Sequence, residues 1–263
     1  MASAELLGPV VGRALATPLG RAVGRLPRAA ARSLGSAIGE LARLTHPAGR
    51  AVARASLAAA LPELSGPERA LRIRRAFRHQ GKTACDHLVL ARVGAVGLCR
   101  GIALEGWERL EEALADRRPP VVCVSPLGDP VTALAAAATY LGADGEEPDA
   151  ERPGGSTRPR DVVRVTLEPD PGAAPLPLFG GRVRPSPRAA ALCRDLAARL
   201  LVVEVAAERD GRLRLLFDGP FALDAGRREG GRELLGRILA GIERRAGRRL
   251  EQWPWMAAPW RVE

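Results

Sequence analysis

The segment VVCVSPLGDPVTALAAAATYLG, residues 121 to 142, constrains the fold more than any other stretch of the chain. It reads as an apolar strand, a tight turn and an Ala-rich helix. Asp129 followed by Pro130 supplies an N-cap and a proline in the first helical position, where the absent N–H is not needed. Similar units recur. IALEGWERLEEALADRRPP gives a short strand and then a helix over 107–116. DVVRVTLEP reads as a strand. LLVVEVAAE and RLRLLFDGPFAL read as two strands joined at Asp210-Gly211, a hairpin signal. GGRELLGRILAGIERRAG is the last helix. Strands alternating with helices specify an α/β sheet behind a helical N-terminal segment.

Upstream, residues 33–60 are helical and Ala-rich. Ser65 and Glu68 form an S-x-x-E capping box, so a helix starts near residue 66 and runs to about 92. APLPLFGGRVRPS reads as an extended connector. Ser186-Pro187 opens a helix to about residue 199. Residues 143–160, polar and rich in Gly and Pro, read as a flexible loop. Residues 1–32 form basic amphipathic helices, and 33–263 form one α/β domain. No internal repeat is visible.

The chain has 263 residues, 46% of them apolar and only 3% aromatic, so its core is built from Ala, Leu and Val. Basic residues outnumber acidic ones 40 to 30, a net charge of +10. Lys82 is the only lysine and there is no Asn, a pattern that codon bias in a G- and C-rich genome would produce. A surface for anionic lipid accounts for the charge equally well. Nucleic acid is excluded as a partner: basic residues are not interleaved with stacking aromatics, and Trp253, Trp255 and Trp260 cluster at the C-terminus. Cys85, Cys99, Cys123 and Cys193 form no CxxC pair and lie in apolar runs, which predicts buried free thiols and no zinc site. The N-terminus has no apolar run long enough to span a bilayer, because Arg13, Arg21, Arg25, Arg28 and Arg32 interrupt it. It also lacks the plan of a signal peptide. Arg alternating with Leu, Val and Ala suits helices lying on an anionic membrane face; an amphipathic helix packed on its own domain has the same pattern.

Four blocks, in order, carry a resemblance to a known family. They are RAVARASLAAALPELSGPERALRIRRAFRHQGKTACDHL, IALEGWERLEEALADRRPPVVCVSPLGDPV, PLFGGRVRPSPRAAALCRDLAARLLVVEVAAERDGRLRLLF and LEQWPWMAAPWRV. Over roughly residues 30 to 263 they resemble the bacterial lipid A biosynthesis (lauroyl/myristoyl) acyltransferases, relatives of the glycerol-phosphate acyltransferases. Ser56 stands where that family has Asn, and Leu61 where it has Phe. The resemblance implies a mixed sheet flanked by helices. It also implies a place on the cytoplasmic face of the inner membrane, and acyl carrier protein or acyl-CoA as partner. No cofactor or metal is implied.

Two departures matter. The family's catalytic motif is His, four residues, then Asp or Glu; the imidazole takes the acceptor hydroxyl's proton and the carboxylate orients it. Pro126 occupies the His position and Val131 the acid position. Leu127 and Gly128 remain, and Asp129 replaces an Asn. None of His46, His79 and His87 begins such a motif elsewhere. In addition, residues 143–160 replace a family segment near the acceptor.

Asp129 and Ser125 are the fallback catalytic candidates, although an ordinary carboxylate is a poor base for an alcohol. Cys123 reads as buried strand. His79 and His87, eight apart on one helix and beside Asp86, read first as a face wrapped against the domain. Gly128, Gly180 and Arg182 are candidates for substrate contact, and Trp253, Trp255 and Trp260 for an interfacial anchor, a role no more favoured than core packing. The resulting expectation is an acyltransferase-like protein without transfer activity that keeps acyl-chain or partner binding. An O-acyltransferase with a rebuilt site and a scaffold without lipid contact are the other readings.

Overall fold

The computed structural model describes residues 17–115, 120–140, 163–195, 199–208, 210–222, 230–247 and 249–257. Among the described residues four helices come first: α1 (Pro18–Arg25), α2 (Arg28–Thr45), α3 (Pro47–Ala60) and α4 (Gly66–Cys99). There follow β1 (Ile102–Glu105), α5 (Trp107–Leu114), β2 (Val121–Gly128), α6 (Pro130–Tyr140) and β3 (Val163–Thr166). A short hairpin of β4 (Leu176–Leu178) and β5 (Gly181–Val183) leads to α7 (Arg188–Asp195), β6 (Leu200–Ala207), β7 (Leu213–Phe221) and α8 (Gly230–Ala246). The loop expected at 143–160 lies outside the described residues.

The main sheet has the order β1-β7-β6-β2-β3. It is mixed: β2 runs parallel to β3 and β6, β1 runs parallel to β7, and β6 and β7 are antiparallel. The α/β class, the mixed sheet and the flanking helices are therefore as expected. β2 and β6 are buried on both faces, which is why VVCV and LLVV are continuously apolar rather than alternating. Val121, Cys123, Leu200 and Val202 face one apolar layer, which they share with α3, α4, α7, α8, Trp253 and Trp255. Val122, Val124, Leu201 and Val203 face a second layer, with α5, α6 and Phe217.

The local signals act as read. The Ser65 backbone N–H donates to Glu68 Oε2 at 2.9 Å, completing the capping box. The 33–60 helix is divided in two at His46–Pro47, because His46 Nδ1 accepts from the Gly49 N–H at 2.7 Å and caps α3. Helix α4 continues past residue 92 to Cys99, with a break in helical geometry at Gly94. The boundary drawn at residue 32 falls within α2. The stretch read as a connector is in fact the β4–β5 hairpin. Its two-residue turn, Phe179-Gly180, has positive φ at both positions, the geometry that suits strand twist. All four cysteines are free and buried.

Helices α2 and α4 touch backbone to backbone. A Cβ on Gly35 would lie 2.4 Å from the Gly81 carbonyl oxygen, and one on Gly39 only 2.2 Å from that of Phe77. Asp86 of α4 fastens the same seam, accepting from Arg28 Nε at 3.0 Å and from Arg32. This seam fixes the pose of α4, whose next turns cross the carboxyl end of β2.

Candidate functional site

The corner between β2 and α6 is built from three consecutive residues. Gly128 has φ +80°, and a Cβ there would lie 1.9 Å from the Val205 carbonyl oxygen. Only glycine lets the chain turn this close to β6. The Asp129 N–H then donates to that same oxygen at 3.0 Å. Pro130 opens α6. In open α/β sheets, ligands collect at the carboxyl ends of strands, which is where this corner stands.

The family positions carry no reactive group. Pro126 is buried within β2. Val131 packs against Leu90 and Ala135. The fallback groups are equally committed. Ser125 is fully buried, and its Oγ accepts from the Leu127 N–H at 3.1 Å. Burial pushes the Cys123 thiol up to about 12, so it holds its proton. Asp129 caps α6 as expected: Oδ1 accepts from the N–H groups of Val131 and Thr132 at 3.1 Å each, and Oδ2 from the Thr132 hydroxyl at 2.5 Å.

The motif positions lack an imidazole–carboxylate pair, and the face carrying His79 and His87 was expected only to wrap against the domain, but the tertiary structure brings such a pair to the corner. His87 reaches across from α4 and places Nε2 2.9 and 3.0 Å from the two Asp129 oxygens. Burial opposes the charged ring, but the hydrogen bond and charge of Asp129 outweigh it and hold the His87 pKa above its ordinary value. Burial likewise opposes the Asp129 carboxylate, and the bond to His87, its charge and the Thr132 hydrogen bonds together outweigh that, lowering its pKa. Asp129 is thus filled by four donors from His87, Val131 and Thr132. It locks α4 to the start of α6 and has no lone pair to offer a ligand.

His79 is placed differently. Its ring interacts with the Gly128 backbone, and its Nε2 is buried without a hydrogen-bond partner. Burial lowers its pKa, so the ring is neutral at pH 7. It lines a cleft of about 1040 Å³ together with Arg32, Arg75, Arg78, Lys82, Arg249 and Glu251. Within this cleft Arg249 pairs with Glu208, and Arg214 Nε lies 2.9 Å from the same carboxylate. Arg78 donates to the Ser36 hydroxyl at 2.7 Å. Among the described residues, Arg75, Arg78 and Lys82 form no ion pair. Burial and then the nearby Arg32 and Arg78 lower the Lys82 pKa, outweighing the opposing charges of Glu251 and Asp86.

Sequence reasoning missed this cluster of cations. Its signal was the spacing 75, 78, 79, 82 on one helix, which sets four side chains on one face.

Other candidates lie elsewhere. Gly180 and Arg182 are exposed on the β4–β5 hairpin, and neither lines the His79 cleft. Trp253 and Trp255 are not an anchor. They are 1% and 0% exposed, with Phe179 packed 5.4 Å from each ring. The chain turns inward because Gln252 pairs with both backbone groups of Ala207, at 3.0 and 2.7 Å, at the end of β6. Trp260 lies outside the described residues. No described helix is long and apolar enough to cross a membrane.

No protein-family model matches this chain, and no curated protein matches it.

Proposed function

We propose that this chain is a lipid A/lysophospholipid acyltransferase-like protein of the inner membrane's cytoplasmic face that binds an anionic acyl-bearing ligand without transferring the acyl chain. The order of the four sequence blocks supports the family. The observation that carries the loss of transfer is the state of the corner: Pro126 and Val131 replace the reactive pair, Ser125 is buried and engaged, Cys123 is buried and keeps its proton, and the carboxylate of the His87–Asp129 pair is taken up in capping α6. Loss of a general base alone lowers a rate by about 10² to 10⁴. The binding half rests on Arg75, Arg78 and Lys82, which form no ion pair among the described residues and line a cleft large enough for a phosphate-bearing headgroup, where basic side chains outnumber the acids Glu208, Asp210 and Glu251.

One observation favours a second reading, a working O-acyltransferase. The ring of a neutral His79 lines the cleft, and its Nε2, buried and unpaired, is a group able to accept a hydroxyl proton from an acceptor that enters beside the ring. Two measurements on the full chain separate the readings. Thermal shift with monomeric lysophosphatidic acid, acyl carrier protein and acyl-CoA reads binding; stabilisation by at least one of them, reduced by Arg78→Ala with Lys82→Ala, is expected. Acyl transfer from carrier protein or CoA to lipid A precursors and lysophospholipids reads turnover; none is expected. Turnover that disappears in His79→Ala establishes the second reading, and binding by none of the three ligands removes both.

A further inference from the structure

With Trp253 and Trp255 in the core, the surface that meets a membrane must be sought elsewhere, and α2 supplies it. Leu34, Ile38, Leu41 and Leu44 stand 37%, 47%, 61% and 60% exposed. Spacings of four, three and three residues put them on one side of the helix. The Gly35 and Gly39 side of α2 is the one buried against α4, so this stripe faces outward, and none of its four side chains joins an apolar cluster among the described residues. Four large apolar side chains in a row on an exposed helix mark an interaction surface rather than a chance exposure.

What the stripe faces is indicated by charge. Residues 17–60 contain seven arginines, at 21, 25, 28, 32, 43, 50 and 54, and a single acid, Glu40. A two-fold contact with a second copy would bring this basic segment against itself, at a cost in like-charge repulsion. An anionic bilayer neutralises it. The two flanks of the stripe agree. On one side α2 borders a net-basic depression of about 760 Å³, with Arg28, Arg32, Arg78 and Lys82 in its wall beside the acids Glu40, Glu208 and Asp210, and sharing Arg32, Arg78 and Lys82 with the His79 cleft. On the other it borders a pocket of about 430 Å³ lined by Ile38, Ala42, Phe77 and Met256. Anionic headgroups suit the first flank and acyl carbons the second.

We propose that α2 is the surface by which this protein lies on an anionic bilayer, with Leu34, Ile38, Leu41 and Leu44 in the interfacial layer and the surrounding arginines on the headgroup phosphates. The proposal rests on the membrane part of the proposed function and fixes which surface serves it. A helix with an apolar stripe and a cationic surround binds in this way through both terms together.

The test uses the full chain in flotation with vesicles of phosphatidylcholine alone and of equal parts phosphatidylcholine and phosphatidylglycerol. The wild type is expected to float with the anionic vesicles only. The variant Leu34→Ser, Ile38→Ser, Leu41→Ser is expected to lose about tenfold or more in apparent affinity, with an unchanged melting temperature because the three side chains are exposed. A separate Ile38→Trp variant is expected to shift its emission to the blue when anionic vesicles are added. Equal binding by the triple variant overturns the proposal, as does equal binding to uncharged vesicles. A dimer in solution that the triple variant dissolves, with no flotation of the wild type, assigns the stripe to a second copy instead. A protein that ignores vesicles yet is stabilised by carrier protein or lysophosphatidic acid loses this surface while the ligand reading stands.

Discussion

At the scale of single residues, the corner shows how one carboxylate can be wholly absorbed by structure. Asp129 accepts from two backbone N–H groups, a hydroxyl and an imidazole, so its charge serves folding. His87→Ala should therefore destabilise the protein by about 2 kcal/mol, the range of a hydrogen bond to a charged group. The loss depends on pH, and its sign follows from the two shifts. The His87 pKa is raised above 6.5, so its contribution is full below that value and fades as pH rises through the folded pKa. The Asp129 pKa is lowered from 3.8, so its contribution is full above that value and fades as pH falls through the folded one. The difference in melting temperature between wild type and His87→Ala should be greatest near pH 5 to 6 and shrink toward alkaline pH. A difference that grows with pH would contradict the pairing. Asp129 was legible in sequence as a cap, because capping is an exchange between neighbours. Its partner was not, because His87 lies 42 positions away.

At the scale of elements, the contact of α2 with α4 rests on glycine rather than on bulk. The Gly35, Gly39 and Gly81 backbones approach so closely that added side chains meet carbonyl oxygens near 2 Å. Gly81→Val should force the helices apart, at a cost of about 1–3 kcal/mol or more by overpacking. Limited proteolysis should then cut residues 17–45 earlier than in the wild type, while the sheet keeps its protection. Uniform loss of protection across the chain would show instead that α2 and the sheet unfold as one unit. The helical pattern of both elements was visible in the sequence. Their separation was not, because a glycine in an Ala- and Arg-rich helix looks the same whether it lines a seam or faces water. For the same reason the β4–β5 strands looked like connector: three-residue strands carry no period to read.

At the scale of the whole molecule, the C-terminal tail closes one face of the sheet. Trp253 and Trp255 join Phe179, α3, α4 and α8 in one apolar layer, with Gln252 fixed to the end of β6. Trp253→Ala should cost about 3–5 kcal/mol, the range for deleting a buried large aromatic. It should leave vesicle flotation intact at temperatures where the variant remains folded. An undisturbed melting temperature combined with lost flotation would return the tryptophan to the membrane surface. The sequence offered both roles for this cluster, since an aromatic near a chain end is equally suited to an interface and to a core.

What the sequence determined by itself is local: the strand–corner–helix unit, the capping box at Ser65, the cap at Asp129, the α/β class and the absence of reactive groups at 126 and 131. Each depends on chemistry within about four residues or on a period repeated along one element. Only the tertiary structure decided that α4 carries His79 and His87 to the corner, that six basic side chains line a cleft beside them, that Trp253 and Trp255 are core, and that α2 leaves an apolar stripe exposed. Those outcomes depend on how closely two helices approach and on which side of each then faces out. That is set by packing between residues far apart in the chain, which no short-range pattern encodes.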